Sequence, residues 1–227
     1  MLIFDRAEFQ RRVDLVRGHM RQLGIEVLLL DECEPLEYLF GNAHSLSFYR
    51  AGILPLAAPP IMMPRVLDEA PFREGSWVED VRPFTDWQDP VAHVAEVVRA
   101  SGYGRSAIGI DLGSYALGVR RFAALQAALR EARFVDVGAM LNEVRLVKSA
   151  AEIAVLQRAS AIADQAMLRA VAAIHPGGTE RDAAVAASAA FVELGADTGA
   201  CGPITSGIGA GFLHGHLHDR PLEPHDI

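Results

Sequence analysis

The sequence predicts an α/β domain over roughly the first 140 residues, then a second domain of different character that opens near Asn142–Lys148. Three observations carry this reading. Short apolar runs alternate with segments of helical period as far as Val135, the pattern of a sheet covered by helices. Ser149-Ala-Ala-Glu152 then forms a capping box that opens a long helix through about Ala173. Beyond the next helix the chain turns glycine-rich and the earlier alternation does not return.

Taken in order, Asp5 with Glu8 has capping-box spacing, and Phe9, Val13, Val16, Met20 and Leu23 follow at helical intervals. Gly24 stands where a helix C-cap belongs, and Ile25–Leu30 reads as a buried strand. Gly52–Met63 and Ser76–Val81 are extended candidates. Pro90–Ala100 is a helix with proline in its first turn, Ala107–Asp111 a strand, Tyr115–Leu129 a helix and Arg133–Val135 a short strand. In the long second-domain helix, Ile153, Leu156, Ile162 and Met167 supply the apolar face. His175-Pro-Gly-Gly178 breaks it, and Thr179 starts another helix to about Leu194. Leu222–Ile227 reads as a turn delivering the chain into a strand, which suggests a truncated polypeptide.

Composition narrows the function. The 227 residues are 51% hydrophobic and 22% charged, enough for one or two ordinary cores. The longest apolar stretches, Val27–Leu30 and Gly52–Pro64, are too short or too broken by proline to span a bilayer. Asp5, Arg6 and Glu8 replace the basic start of a secretory leader. Cys33 and Cys201 make no disulfide framework and fit a reducing cytoplasm. A net charge of -8 without a basic stripe repels nucleic acid. A soluble cytoplasmic protein with neither nucleic-acid nor membrane partners is expected.

The stretch Asn142-Glu-Val-Arg-Leu-Val-Lys-Ser-Ala-Ala-Glu-Ile153 resembles the entry to the catalytic domain of the pita-bread metallohydrolases, with Arg145, Lys148, Ser149, Glu152 and Ile153 matching the pattern. Pro176-Gly-Gly-Thr-Glu180 resembles that family's Pro-Gly-x-Thr-Glu. The tail, with His214, Asp219-Arg220, Leu222 and Asp226-Ile227, is similar to the approach to its first metal-bearing strand. The family comprises Xaa-Pro dipeptidases, Xaa-Pro aminopeptidases, creatinase and ectoine hydrolase. The resemblance implies that residues 1-143 form a creatinase/prolidase-like α/β N-terminal domain and residues 144-227 an incomplete first portion of an α+β pita-bread catalytic domain.

The same resemblance implies two divalent metal ions (Mn, Co or Zn) in the full-length parent, activating a water against an amide-type carbon. It places every ligand beyond Ile227, with Asp219 and Asp226 at non-ligand positions, so this chain is expected to bind no catalytic metal pair and to be inactive. It makes His214 the catalytic candidate, a histidine beside the metals that contacts substrate or shuttles a proton, work suited to a near-neutral imidazole. Read locally, without the resemblance, His214 is a histidine that packs or hydrogen-bonds at a strand start. Phe48 and Arg50, in Ser47-Phe-Tyr-Arg-Ala51, are similar to positions that reach a neighbouring subunit's site in a homodimer. There an arginine can clamp a substrate carboxylate. Read locally, Arg50 is a surface arginine between strand aromatics.

The default substrate is a small Xaa-Pro peptide, with creatine-like amidines and ectoine-like amides as alternatives. A different class is also open: a non-catalytic dimerisation or interaction module. Three further patterns have local readings. His214, His216 and His218 alternate as zinc ligands on one strand face would. Gly195–Gly211 lacks the Lys-Ser or Lys-Thr ending of a phosphate loop. Cys201, without a base partner, reads as a buried small residue, Trp77 and Trp87 as packing residues, Asp111 as a strand end and His44 as a solvated loop residue.

Overall fold

Asp5 accepts a hydrogen bond from Glu8 N at 2.8 Å and starts α1 (Arg6–Leu23), which Gly24 ends in the left-handed region at φ 64°. The expected cap therefore forms on its Asp5 side, while the Glu8 carboxylate turns instead to Arg11 and Arg12. The structure is a computed structural model. It describes residues 2–42, 48–199, 202, 204–212 and 214–226. His44, Ser47 and Cys201 lie outside the described residues, as does Ile227.

The described chain divides into two units, Met1–Val147 and Lys148–Ile227. In the first, the strands are β1 (Val27–Leu30), β2 (Ala51–Pro55), β3 (Ile61–Met63), β4 (Asp80–Val81), β5 (Ala107–Ile110) and β6 (Arg133–Asp136). They form one mixed sheet in the order β4-β3-β2-β1-β5-β6. β1 runs parallel to β5 and antiparallel to β2, with Leu29 opposite Ile110 and Ile53. The helices are α1, α2 (Cys33–Phe40), α3 (Val66–Gly75), α4 (Pro90–Ala100), α5 (Gly118–Ala128) and α6 (Gly138–Glu143).

Both sheet faces are covered, which explains the unbroken apolar run of β1. Leu28 and Leu30 join Val13, Val16, Met20, Leu36 and Leu141 on one face, and Val27 and Leu29 join Val94, Val98, Ile108 and Leu125 on the other. α2 and α3 contain Pro35 and Pro71, and periodicity alone did not reveal them. The predicted extension over Ser76–Val81 contracts to Asp80–Val81. Trp77 packs against the core and donates from Nε1 to Leu39 O at 2.8 Å, but Trp87 is 86% exposed. Trp87 lies in the turn that Thr85 and Gln88 close ahead of α4.

Gly52 marks a close approach of α2 to the sheet. A Cβ built there meets Phe40 Cε2 at 2.4 Å and Leu36 Cδ2 at 2.9 Å, and both side chains are fully buried. Gly52→Ala is expected to lower the stability of this unit by about 1–3 kcal/mol through overpacking, read from the urea midpoint. An unchanged midpoint would show that the α2 contact yields freely.

In the second unit, Ser149 Oγ accepts from Glu152 N at 3.1 Å, and Glu152 Oε2 accepts from Ser149 N at 2.7 Å. This complete capping box opens α7 (Ala150–Ala172), and Thr179 with Asp182 forms another at α8 (Glu180–Glu193). The two helices meet through Ala170, Ala183 and Ala187. Of the face that periodicity predicts as buried, Ile153, Leu156 and Met167 are exposed and Ile162 is half-buried. Flat alanine surfaces let two helices approach closely in a way that bulky side chains prevent. Among the described residues this unit contains no strand, and no helix of the protein is long and apolar enough to cross a membrane.

Candidate functional site

Two polar constellations stand out, one in each unit. In the first, the chain leaves β1 and buries the Asp31 carboxyl. Ser114 Oγ donates to Asp31 Oδ1 at 2.7 Å while accepting from Ala116 N and Leu117 N at 3.2 Å. Tyr49 and Arg50, immediately before β2, are both 3% exposed. Arg50 donates from Nη2 to Cys33 Sγ and from Nη1 to Phe48 O at 3.3 Å. The Arg121 guanidinium lies 4.8 Å from the Tyr49 ring centroid.

The electrostatics of this cluster follow from burial. Desolvation pushes Asp31 up to about 6, against hydrogen bonding from Ser114 and Tyr49 and the attraction of Arg50. The Tyr49 hydroxyl is near enough to Asp31 to interact, yet neither Tyr49 Oη nor Asp31 Oδ2 makes a hydrogen bond of normal geometry. Burial also pushes the Cys33 thiol up and the Tyr49 hydroxyl well above its ordinary value. Among the described residues Arg50 Nε has no partner either.

Phe48 and Arg50 therefore diverge. Arg50 is a buried residue, contrary to its local reading as a surface arginine. Phe48 is 53% exposed and is stacked by the Arg65 guanidinium at 3.8 Å, which Asp86 holds through two hydrogen bonds of 2.8 Å.

In the second unit Glu180, first residue of α8, is 3% exposed. Its Oε1 accepts from Ser206 N at 2.6 Å and Ser206 Oγ at 2.8 Å, and its Oε2 accepts from His218 N at 2.7 Å. The His218 ring Nδ1 lies 3.3 Å from the same Oε2. Burial pushes this carboxyl up, but the donors on His218 and Ser206 outweigh it and hold Glu180 below the ordinary carboxylate value. Gly177 N donates to Leu222 O at 2.9 Å and Leu222 N to Gly178 O at 2.7 Å, tying the Pro-Gly-Gly motif to the tail.

His214 is exposed and lines an open groove of about 510 Å³ with Ala184, Gly202, Ile204, His216 and Leu217. No strand runs through residues 214–218, and His218 turns to Glu180, so the three histidines share no strand face. Among the described residues no group of three or more His, Cys, Asp or Glu side chains could hold a metal ion. Asp219 pairs with Arg181 at 2.9 Å and Asp226 with Arg220 at 2.7 Å. Gly207–Gly211 is a single 3-10 turn.

Sequence reasoning gave neither Asp31 nor Glu180 a role. A carboxylate immediately after a continuous apolar strand was the available signal for Asp31. For Glu180 the signal was its place in a motif that had been matched without a chemical task.

Residues 12–147 match the model of the creatinase/prolidase N-terminal domain, and residues 154–227 match that of metallopeptidase family M24. No curated protein sequence matches the chain. Among solved structures it is similar to dipeptidase PepE from Mycobacterium ulcerans, at 30% identity and a TM-score of 0.75, over 98% of this chain and 59% of that one. The prolidase from Pyrococcus horikoshii OT3 matches at 20% identity and a TM-score of 0.77, over 95% of this chain and 58% of that one. The N-terminal domain of an X-Pro dipeptidase from Streptococcus pyogenes matches at 16% identity and a TM-score of 0.51, over 59% of this chain and 98% of that one. The chain thus spans less than two thirds of the length of the first two relatives.

Proposed function

We propose, from the premise that the chain belongs to the creatinase/prolidase family through residues 12–147, that it is the front part of a metal-dependent hydrolase of small peptides. The reaction is cleavage of a carbon–nitrogen bond, with Xaa-Pro dipeptides as the first substrates to try. One observation carries the reading: the N-terminal domain match is followed directly by the M24 match over residues 154–227, in one chain. The dipeptidase that aligns with 98% of the chain supports it.

A pair of divalent ions (Mn, Co or Zn) would supply Lewis-acid activation of water in this chemistry. The described residues do not fit such a pair. Residues 1–227 are therefore assigned only the handling of substrate and protons. His214, open to its groove, is assigned to hold substrate or move a proton beside the reacting carbonyl. Phe48 and Arg50 are assigned to a neighbouring subunit's substrate in a homodimer. Phe48 is already exposed, whereas Arg50 reaches a carboxylate only after release from Cys33 and Phe48 O.

The test begins with the coding sequence after Ile227, where two aspartates, a histidine and two glutamates are expected. The encoded protein loaded with manganese or cobalt is then expected to hydrolyse Gly-Pro or Ala-Pro. Absence of those ligands would end the hydrolase reading. Turnover of creatine-like or ectoine-like compounds in place of Gly-Pro would move it to another branch of the family.

A second reading, a non-catalytic interaction module, is favoured by the match of the first unit to an N-terminal domain solved by itself. The exposed Leu156, Met167, Leu168 and Val171 of α7 speak against it for residues 1–227. Sharp unfolding of residues 1–227 without binding of a hydrophobic dye would favour the module.

A further inference from the structure

We infer that Glu180 is a positioning residue that fixes the His214–His218 segment against the Ile204–Ser206 segment and so sets the shape of the His214 groove. The inference rests on the role proposed for His214 and adds to it the group that holds His214 in place.

The geometry makes the carboxylate a spacer between two walls. Oε1 takes both donors of Ser206, at 2.6 and 2.8 Å, and Oε2 takes His218 N at 2.7 Å with the His218 ring at 3.3 Å. Each anchor adjoins a groove wall, since Ile204 lies two residues before Ser206 and Leu217 immediately before His218. Ala184, one turn along α8 from Glu180, completes the lining. Among the described residues between the anchors, Gly207–Gly211 is a 3-10 turn and the rest is loop. Their backbone bonds, Gly209 N to Ser206 O and Phe212 N to Gly209 O, stay local and do not join the two walls.

An ionised carboxylate suits this place for two reasons. It accepts only, and every neighbouring group within hydrogen-bond reach can donate. It also stands in the first turn of α8, where the helix end favours negative charge. A glutamine of the same size keeps one acceptor oxygen but turns an amide NH2 toward either Ser206 or His218.

The 15N-labelled 227-residue chain provides the test, through the ring-nitrogen spectra of its histidines and the amide exchange of Ser206 and His218. In the wild type the His218 ring is expected with Nδ1 protonated toward Glu180. Glu180→Gln is expected to speed exchange at Ser206 or His218 at least tenfold and to shift the His214 ring signals, with the His218 ring moving to the Nε2–H tautomer where the amide NH2 faces it. A released imidazole also favours Nε2–H, so the tautomer reports only the loss of the His218–Glu180 contact. Positioning is separated from general loosening by amides within α7 and α8 that keep their wild-type protection while Ser206 or His218 exchanges faster. Exchange within twofold of wild type with unmoved His214 signals would overturn the inference.

Should Glu180→Gln fail to fold, Ser206→Ala and His218→Ala carry the test, because each removes one side-chain donor and leaves the backbone donors. Displaced His214 signals in either variant support the inference, and displacement in neither overturns it. None of these measurements needs a metal or a substrate. Failure of Gly-Pro hydrolysis would therefore reject the hydrolase reading separately.

Discussion

Arg12→Ala is expected to lower the unfolding free energy of the first unit by about 3–5 kcal/mol. Arg12 is 2% exposed, and its guanidinium lies 4.1 Å from the Phe4 ring centroid, 4.6 Å from that of Tyr38 and 5.3 Å from that of Phe9. Nε donates to Glu8 Oε1 at 2.9 Å and Nη1 to Tyr38 O at 2.9 Å. Removing the side chain opens a cavity between three aromatic rings and strips the Tyr38 carbonyl of a charged donor. Arg11 still holds Glu8 through hydrogen bonds of 2.9 and 2.8 Å, so the loss should fall toward the lower end of the range. Arg12→Met fills the space without charge and should recover about half. Trp77 fluorescence reads the transition, because that ring packs 6.5 Å from Phe9 while the exposed Trp87 changes little. A loss under about 1 kcal/mol for Arg12→Ala would show the cage to be ornamental.

This cage also shows where sequence reading stops. Phe9, Val13, Val16, Met20 and Leu23 announce an apolar face of α1 by spacing alone, and burial follows for the first four, while Leu23 in the last turn is 45% exposed. Arg12 lies between two of them, yet its charge assigns it to solvent until Phe4 and Tyr38 arrive from elsewhere in the chain. β1, β5 and the Gly52–Met63 hairpin were legible because their residues are apolar on both faces. α7 and α8 were legible from their caps, while their mutual face was not. Alanine carries little hydrophobic signal, so Leu156 and Met167 outweighed Ala166 and Ala170 in any periodic reading. In the candidate sites, the motif around Glu180 was visible and its partners were not, since Ser206 and His218 approach only through folded loops.

Asp31 should make the first unit less stable as the pH rises, the reverse of a paired surface carboxylate. Its folded value of about 6 lies above the ordinary 3.8, so between these values the folded state binds more protons than the unfolded state. The contribution is complete below about pH 4, declines through the folded value and is gone above it. The gap corresponds to about 3 kcal/mol at most. Asp31→Asn removes the titration and keeps an oxygen for the Ser114 hydroxyl. Measured by urea at pH 4 and at pH 7.5, its stability relative to wild type should therefore rise by about 2–3 kcal/mol across that interval. Carboxylates held below their ordinary values, Glu26 and Asp86 among them, titrate alike in both proteins and cancel from the difference. Ser114→Ala gives the internal control: it removes a donor that favours the ionised form, so the wild-type loss should move to higher pH. A difference between Asp31→Asn and wild type that stays flat from pH 4 to pH 7.5 would mean that Arg50 and Tyr49 stabilise the Asp31 charge as well as water does.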